Sequence, residues 1–167
     1  MRMDAKTAKF MEQLVQRVKN ERVFDSVTKG QKLNEGTWDS LARQKVGKIV
    51  EEVFKESYPN EDARKALWIE GSYALWEMPN ELIGSAGINP EIGILSPKKI
   101  GIELEHSEKG SEIKTVLGKA TFICVSGEWD YFFVFYHIQD KKSLDEERGK
   151  KLRKNYEDQF NTKIVLF

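Results

Sequence analysis

The chain has 167 residues, 40% hydrophobic and 11% aromatic, which suits one domain with a sizeable core. Lysine plus arginine and aspartate plus glutamate each total 27, so the formal net charge is zero. That balance excludes a general electrostatic claim on nucleic acid or anionic membrane, and any nucleic-acid partner would have to be held by a local patch.

A single cysteine, Cys124, excludes an intramolecular disulfide and a multi-cysteine zinc site, and it fits a reducing cytoplasm. Two histidines, His106 and His137, exclude a histidine-rich metal centre, so any metal ligands are mainly oxygen. No apolar run of about 18 residues occurs, so no membrane span is expected. The N-terminal stretch has no apolar segment of the secretory kind.

In chain order, Phe10, Leu14, Val15 and Val18 share one face of an amphipathic helix over Ala5 to Val23. "TKGQKLNEGT" interrupts it. A second helix, capped by Thr37 or Asp39, carries Leu41, Val46, Ile49, Val50, Val53 and Phe54, and ends at Tyr58-Pro59. "NEDARKALWIEGSYALWEM" reads as a helix capped by Asn60, although "WIEGSYALW" also suits a strand. From Ile88 the period becomes two. "EIGIL" and "KIGIELEH" flank "SPKK" as a hairpin. "SEIKTVLGKATFICV" is a helix capped by Ser111, and the aromatic run "WDYFFVFYHI" is a strand buried on both faces. "SLDEERGKKLRKNYEDQF" is a charged surface helix and "TKIVLF" a closing strand. The expected class is α/β (α+β), a mixed sheet flanked by helices, with a helical part over 1–58 and a core over 60–167.

The hairpin concentrates the chemistry. On its second arm Ile100, Ile102 and Leu104 point one way, while Gly101, Glu103 and Glu105 point the other. The Cα atoms of Glu103 and Glu105 lie roughly 7 Å apart, with the carbonyl of Leu104 between them. Two carboxylates and a backbone oxygen on rigid sheet suit a hard cation, Mg²⁺ or Mn²⁺. Whether Glu91 joins them depends on register. A three-residue Ser96-Pro97-Lys98 loop puts Glu91 opposite Glu103, whereas a two-residue Pro97-Lys98 loop pairs it with Leu104 and turns it to the wrong face.

The Pro90-Glu91 step, the hairpin, and "IELEH" in the spacing E-x11-E-x-E, followed by a helix and a buried strand, resemble the PD-(D/E)xK nuclease superfamily, the restriction-endonuclease-like fold. The resemblance covers about Asn60 to Ile138. It departs from the superfamily pattern in two places: Glu91 stands where aspartate is usual, and Glu105 where lysine is usual. It implies a Mg²⁺-dependent nuclease acting on DNA rather than RNA, with Glu91 and Glu103 as metal ligands. Leu104 would lend its carbonyl, and Glu105 would bind metal or orient the attacking water. Glu70 or Glu77 would be a further acid, and a type II restriction-like enzyme would be a homodimer, one site per strand. Lys109, Lys114 and Lys119 could add charge stabilisation.

The rival expectation is a member that kept the fold, lost the chemistry and binds nucleic acid or a protein partner. It is favoured by the missing lysine and the neutral charge. His106 reads as a surface or packing residue, His137 as a strand-end residue closing the aromatic strand, Cys124 as a core thiol, and the aromatic run as core. The cluster Arg148, Lys150, Lys151, Arg153 and Lys154 reads as a solvated helix face that could also track phosphates.

Overall fold

The structure, a computed structural model, describes residues 3–28, 35–69, 90–107, 113–125, 129–138 and 142–167. Helix α1 spans Ala5–Asn20. Asp4 caps it by accepting the Thr7 N–H at 2.9 Å, and Phe10, Met11, Leu14 and Val18 form its buried stripe. The periodic segment predicted to run on to Val23 breaks instead at Arg22, whose φ of 48° cannot continue a helix. Helix α2, Val23–Thr28, restarts there and buries Val23, Phe24 and Val27.

Helix α3 covers Glu35–Ser57, so Thr37 and Asp39 lie inside it rather than capping it. Of the segment expected to be one helix capped by Asn60, residues 70–78 lie outside the described residues and the part before them divides in two. A single turn, α4 (Ala63–Ala66), is capped by Asp62, and strand β1 (Leu67–Ile69) follows it. The β-branched and aromatic side chains of "LWI" favour a strand once a sheet edge offers them partners. Strands β2 (Ile92–Ile94) and β3 (Ile100–Ser107) form the hairpin, α5 (Ile113–Val125) follows, and β4 is Tyr131–Ile138. The charged C-terminal helix is interrupted at Glu146, giving α6 (Lys142–Asp145) and α7 (Glu147–Phe160) before β5, Thr162–Leu166.

The five strands lie in the order β1-β2-β3-β4-β5. The first three are antiparallel to their neighbours, while β3, β4 and β5 run parallel, so the sheet is mixed. This is the α/β (α+β) arrangement expected, a sheet flanked by helices. Every residue of β4 is buried, as a central strand covered on both faces requires. Its side chains divide between two cores. Tyr131, Phe133 and Phe135 join Ile92, Ile94, Ile100, Ile102 and Leu104 beneath α1, α2 and α3. Phe132, Val134, Tyr136 and Ile138 join Val116, Leu117, Ala120 and Ile123 of α5. No helix among the described residues is long and apolar enough to cross a membrane.

Two glycines bring this second layer close to the hairpin. Gly93 and Gly101 are cross-strand partners, and their missing side chains leave room for the rings of Trp129 and Phe132. A Cβ on Gly101 would come within 2.8 Å of Phe132 and 3.2 Å of Pro90. Phe132 is wholly buried and cannot swing aside. Gly101→Ala should therefore cost about 1–3 kcal/mol through overpacking. The check is a lower urea midpoint with unchanged m-value, and an unchanged or higher midpoint would contradict this packing.

Candidate carboxylate site on the β2–β3 hairpin

Ile94 pairs with Ile100 and Ile92 with Ile102. That is the register of the three-residue Ser96-Pro97-Lys98 loop. Continued by one residue beyond the start of β2, it sets Glu91 opposite Glu103. The alternative register, which would have matched Glu91 with Leu104, is not formed. Side-chain alternation holds as well: Ile100, Ile102 and Leu104 enter the core under α1–α3, while Glu103 faces α5.

Glu91 and Glu103 are 7% and 8% exposed, unusually buried for carboxylates. Each is held by specific partners. The Leu104 N–H donates to Glu91 Oε2, and the Glu91 N–H lies 3.4 Å from Glu103 Oε2. Lys119 Nζ, from α5, pairs with Glu103 Oε1, and Arg43 Nη1, from α3, stands 3.5 Å from Glu91 Oε1. Because the N–H and C=O of one strand residue point to the same edge, the Leu104 carbonyl is directed to the side on which Glu91 sits.

Burial pushes the Glu91 carboxyl up to about 8, and repulsion from Glu103 adds to the shift. The Leu104 N–H and Arg43 oppose it, and the charge of Asp39, one turn before Arg43 on α3, reinforces it. Glu91 therefore carries a proton at neutral pH in the cation-free protein. Two buried carboxylates that cannot both ionise comfortably suit a hard divalent cation, whose charge would remove the conflict and displace the proton.

Glu105 is half-buried, and its Oε1 accepts from the His106 N–H at 3.1 Å. Among the described residues no three His, Cys, Asp or Glu side chains are gathered closely enough to hold a metal ion. Glu91 and Glu103 thus come together as a pair, and Glu105 is not gathered with them. Glu70, Glu77 and Lys109 lie outside the described residues. Of the three lysines considered as charge stabilisers, Lys119 reaches the pair, and Lys114 is exposed one turn before Gly118.

Arg43 and Asp39 were not anticipated as site residues. Their only sequence signal is an i,i+4 acid–base pair on a helix, which ordinary surface helices also show. The histidines belong to the opposite face. His106 and His137 are partners across β3 and β4, with Nδ1 atoms 2.9 Å apart, one donating and one accepting. His106 stacks on Trp38 at 5.0 Å, and His137 Nε2 lies 3.5 Å from Asp25. Both are packing residues in an aromatic layer, and His137, next to last in β4, is buried there.

No protein family, no curated protein and no solved structure matches the chain.

The raised Glu91 carboxyl makes stability depend on pH. The folded chain keeps its proton up to about pH 8, whereas the unfolded chain releases it near the ordinary glutamate value of 4.5. Between these values the native state binds more protons, so this group's contribution is full below the lower value and is lost as pH rises through the upper one. Urea midpoints in EDTA should therefore fall from about pH 5 to 8 for the wild type, and more shallowly for Glu91→Gln. Parallel profiles for the two proteins would contradict a protonated Glu91.

Proposed function

We propose that this chain is a divalent-metal-dependent phosphodiesterase of the restriction-endonuclease-like kind, cutting DNA rather than RNA. The observation that carries the proposal is the hairpin register: it sets two buried carboxylates face to face at the start of β2, where a lysine from the next helix reaches one of them. Glu91 and Glu103 would hold Mg²⁺ or Mn²⁺, with the Leu104 carbonyl as a further oxygen. A cation bound there would polarise the scissile phosphate and lower the pKa of an attacking water.

The remaining roles fall to side chains of this chain. Glu91 would hold the cation as an anionic ligand once deprotonated. Glu105, next on the same face of β3, orients the attacking water or serves as an outer ligand. Lys119 would supply from α5 the lysine that β3 lacks at position 105, since its ammonium reaches Glu103. Released from Glu103 by a cation, it can offset charge on the phosphate. Asp39 and Arg43 set the charge at the Glu91 side. If the enzyme cuts both strands at a symmetrical site, it acts as a homodimer.

A second reading is favoured by the ion pairs themselves. Lys119 already pairs with Glu103, and Arg43 stands near Glu91. A domain that retained the fold as a binding module for nucleic acid or a protein would keep these pairs closed and need no cation.

Cleavage of plasmid and single-stranded DNA in Mg²⁺, Mn²⁺ or EDTA separates the two readings. Cutting should require metal, vanish in Glu103→Gln, and fall about 10²-fold in kcat in Lys119→Met. Metal-independent cutting, or full activity in Glu103→Gln, would overturn the nuclease reading. Absence of cutting with either ion by a folded protein would favour the binding module.

A further inference from the structure

Three glycines in the described elements have a reason in the protein's own packing. A Cβ on Gly47 of α3 would lie 2.8 Å from Ile69, one on Gly93 would lie 3.0 Å from Trp129, and one on Gly101 would lie 2.8 Å from Phe132. Gly118 is different. It sits in the interior of α5, it is exposed, and a Cβ there would meet no described atom within 4 Å. Glycine inside a helix is unfavourable relative to alanine, because it gives up more backbone freedom and contributes no side-chain contacts. Packing among the described residues gives nothing back for that loss at Gly118. A bare backbone is useful where another molecule must approach closely.

The surroundings of Gly118 indicate what kind of molecule that is. Its chain neighbour, Lys119, is the residue paired with the buried Glu103 carboxylate. Lys114, one turn earlier on the helix, and Thr115 beside it are exposed. Gly118 is thus a gap in the helix surface between an exposed lysine and the lysine that reaches Glu103. A bulky side chain here would stand in the way of anything extended that passes along α5 to Glu103. An extended polyanion matches both the lysines and the missing side chain.

We propose that Gly118 marks where the sugar–phosphate backbone of the substrate crosses α5 on its way to the Glu91–Glu103 pair, lying against bare helix backbone between Lys114 and Lys119. This rests on the nuclease reading and adds to it the path of the substrate. Gly118 is then a binding residue for the nucleic acid, with no part in bond cleavage.

The test uses Gly118→Ala and Gly118→Leu in the full chain, beside the wild type. Both replacements favour helix, so both variants should fold, and Gly118→Ala should raise Tm by about 2–4 °C. Against fluorescein-labelled DNA in Mn²⁺, KM for cleavage and Kd for binding should rise about tenfold for alanine and further for leucine. Stabilisation combined with weakened binding is the signature expected. A wild type that cuts, with variants of equal KM and Kd, would overturn the crossing point and leave the nuclease reading standing. A lower Tm in Gly118→Ala would also overturn it, because the glycine would then serve the protein's own packing. A wild type that neither cuts nor binds DNA would remove the nuclease reading, and the crossing point with it.

Discussion

Two carboxylates buried against each other across adjacent strands constrain everything around them. Left alone at neutral pH, Glu91 and Glu103 would repel through a medium that screens poorly, and each would forfeit its hydration. The protein holds them through three devices. One carboxyl stays protonated, the Leu104 N–H is turned onto it, and cations arrive from two helices, Arg43 from α3 and Lys119 from α5. Those helices lie in the layers on opposite sides of the sheet, so a cation reaches the pair from each. Apolar side chains of similar volume would satisfy the fold at lower electrostatic cost. That a charged arrangement occupies the position instead is what directs attention to chemistry.

The arrangement depends on the hairpin register. With Ile94 opposite Ile100, the odd residues of β3 face α5, and Glu91 meets Glu103. A shift of one residue would have brought Glu91 to Leu104 and left Glu103 without its counterpart. Gly93 and Gly101 serve the same geometry, since they let Trp129 and Phe132 pack close to the hairpin on the face that carries Glu103. The fully buried β4 then anchors β3 along its length, each of the eight residues of β3 having a partner in β4.

Much of this was legible in the sequence because it follows from periodicity. Alternation along "IELEH" placed Glu103 opposite in sense to Leu104, and the unbroken aromatic run identified the central strand. The mixed sheet with flanking helices followed from the order of these patterns. Register was reduced to two possibilities, but choosing between them requires the loop conformation, which composition does not determine. The errors lie where tertiary context outweighs local propensity. "LWI" pairs with β2 although helical sequence precedes it, Arg22 divides a periodic stretch, and Asp39 lies within α3 despite being a good capping residue. Arg43 was invisible as a site residue, because nothing local tells a cation that meets a buried carboxylate from one that meets solvent. Lys119 was visible as one of three available lysines, and only the packing of α5 on the sheet selects it.

We propose that the Glu91–Glu103 pair exchanges a proton for a divalent cation. Isothermal titration calorimetry with Mn²⁺ and Mg²⁺ at neutral pH, in two buffers of different ionisation enthalpy, tests this most directly. The account predicts saturable binding with release of about one proton per ion, as expected when a protonated carboxyl becomes a ligand. Absence of binding by both ions, or binding that releases no proton, would contradict it.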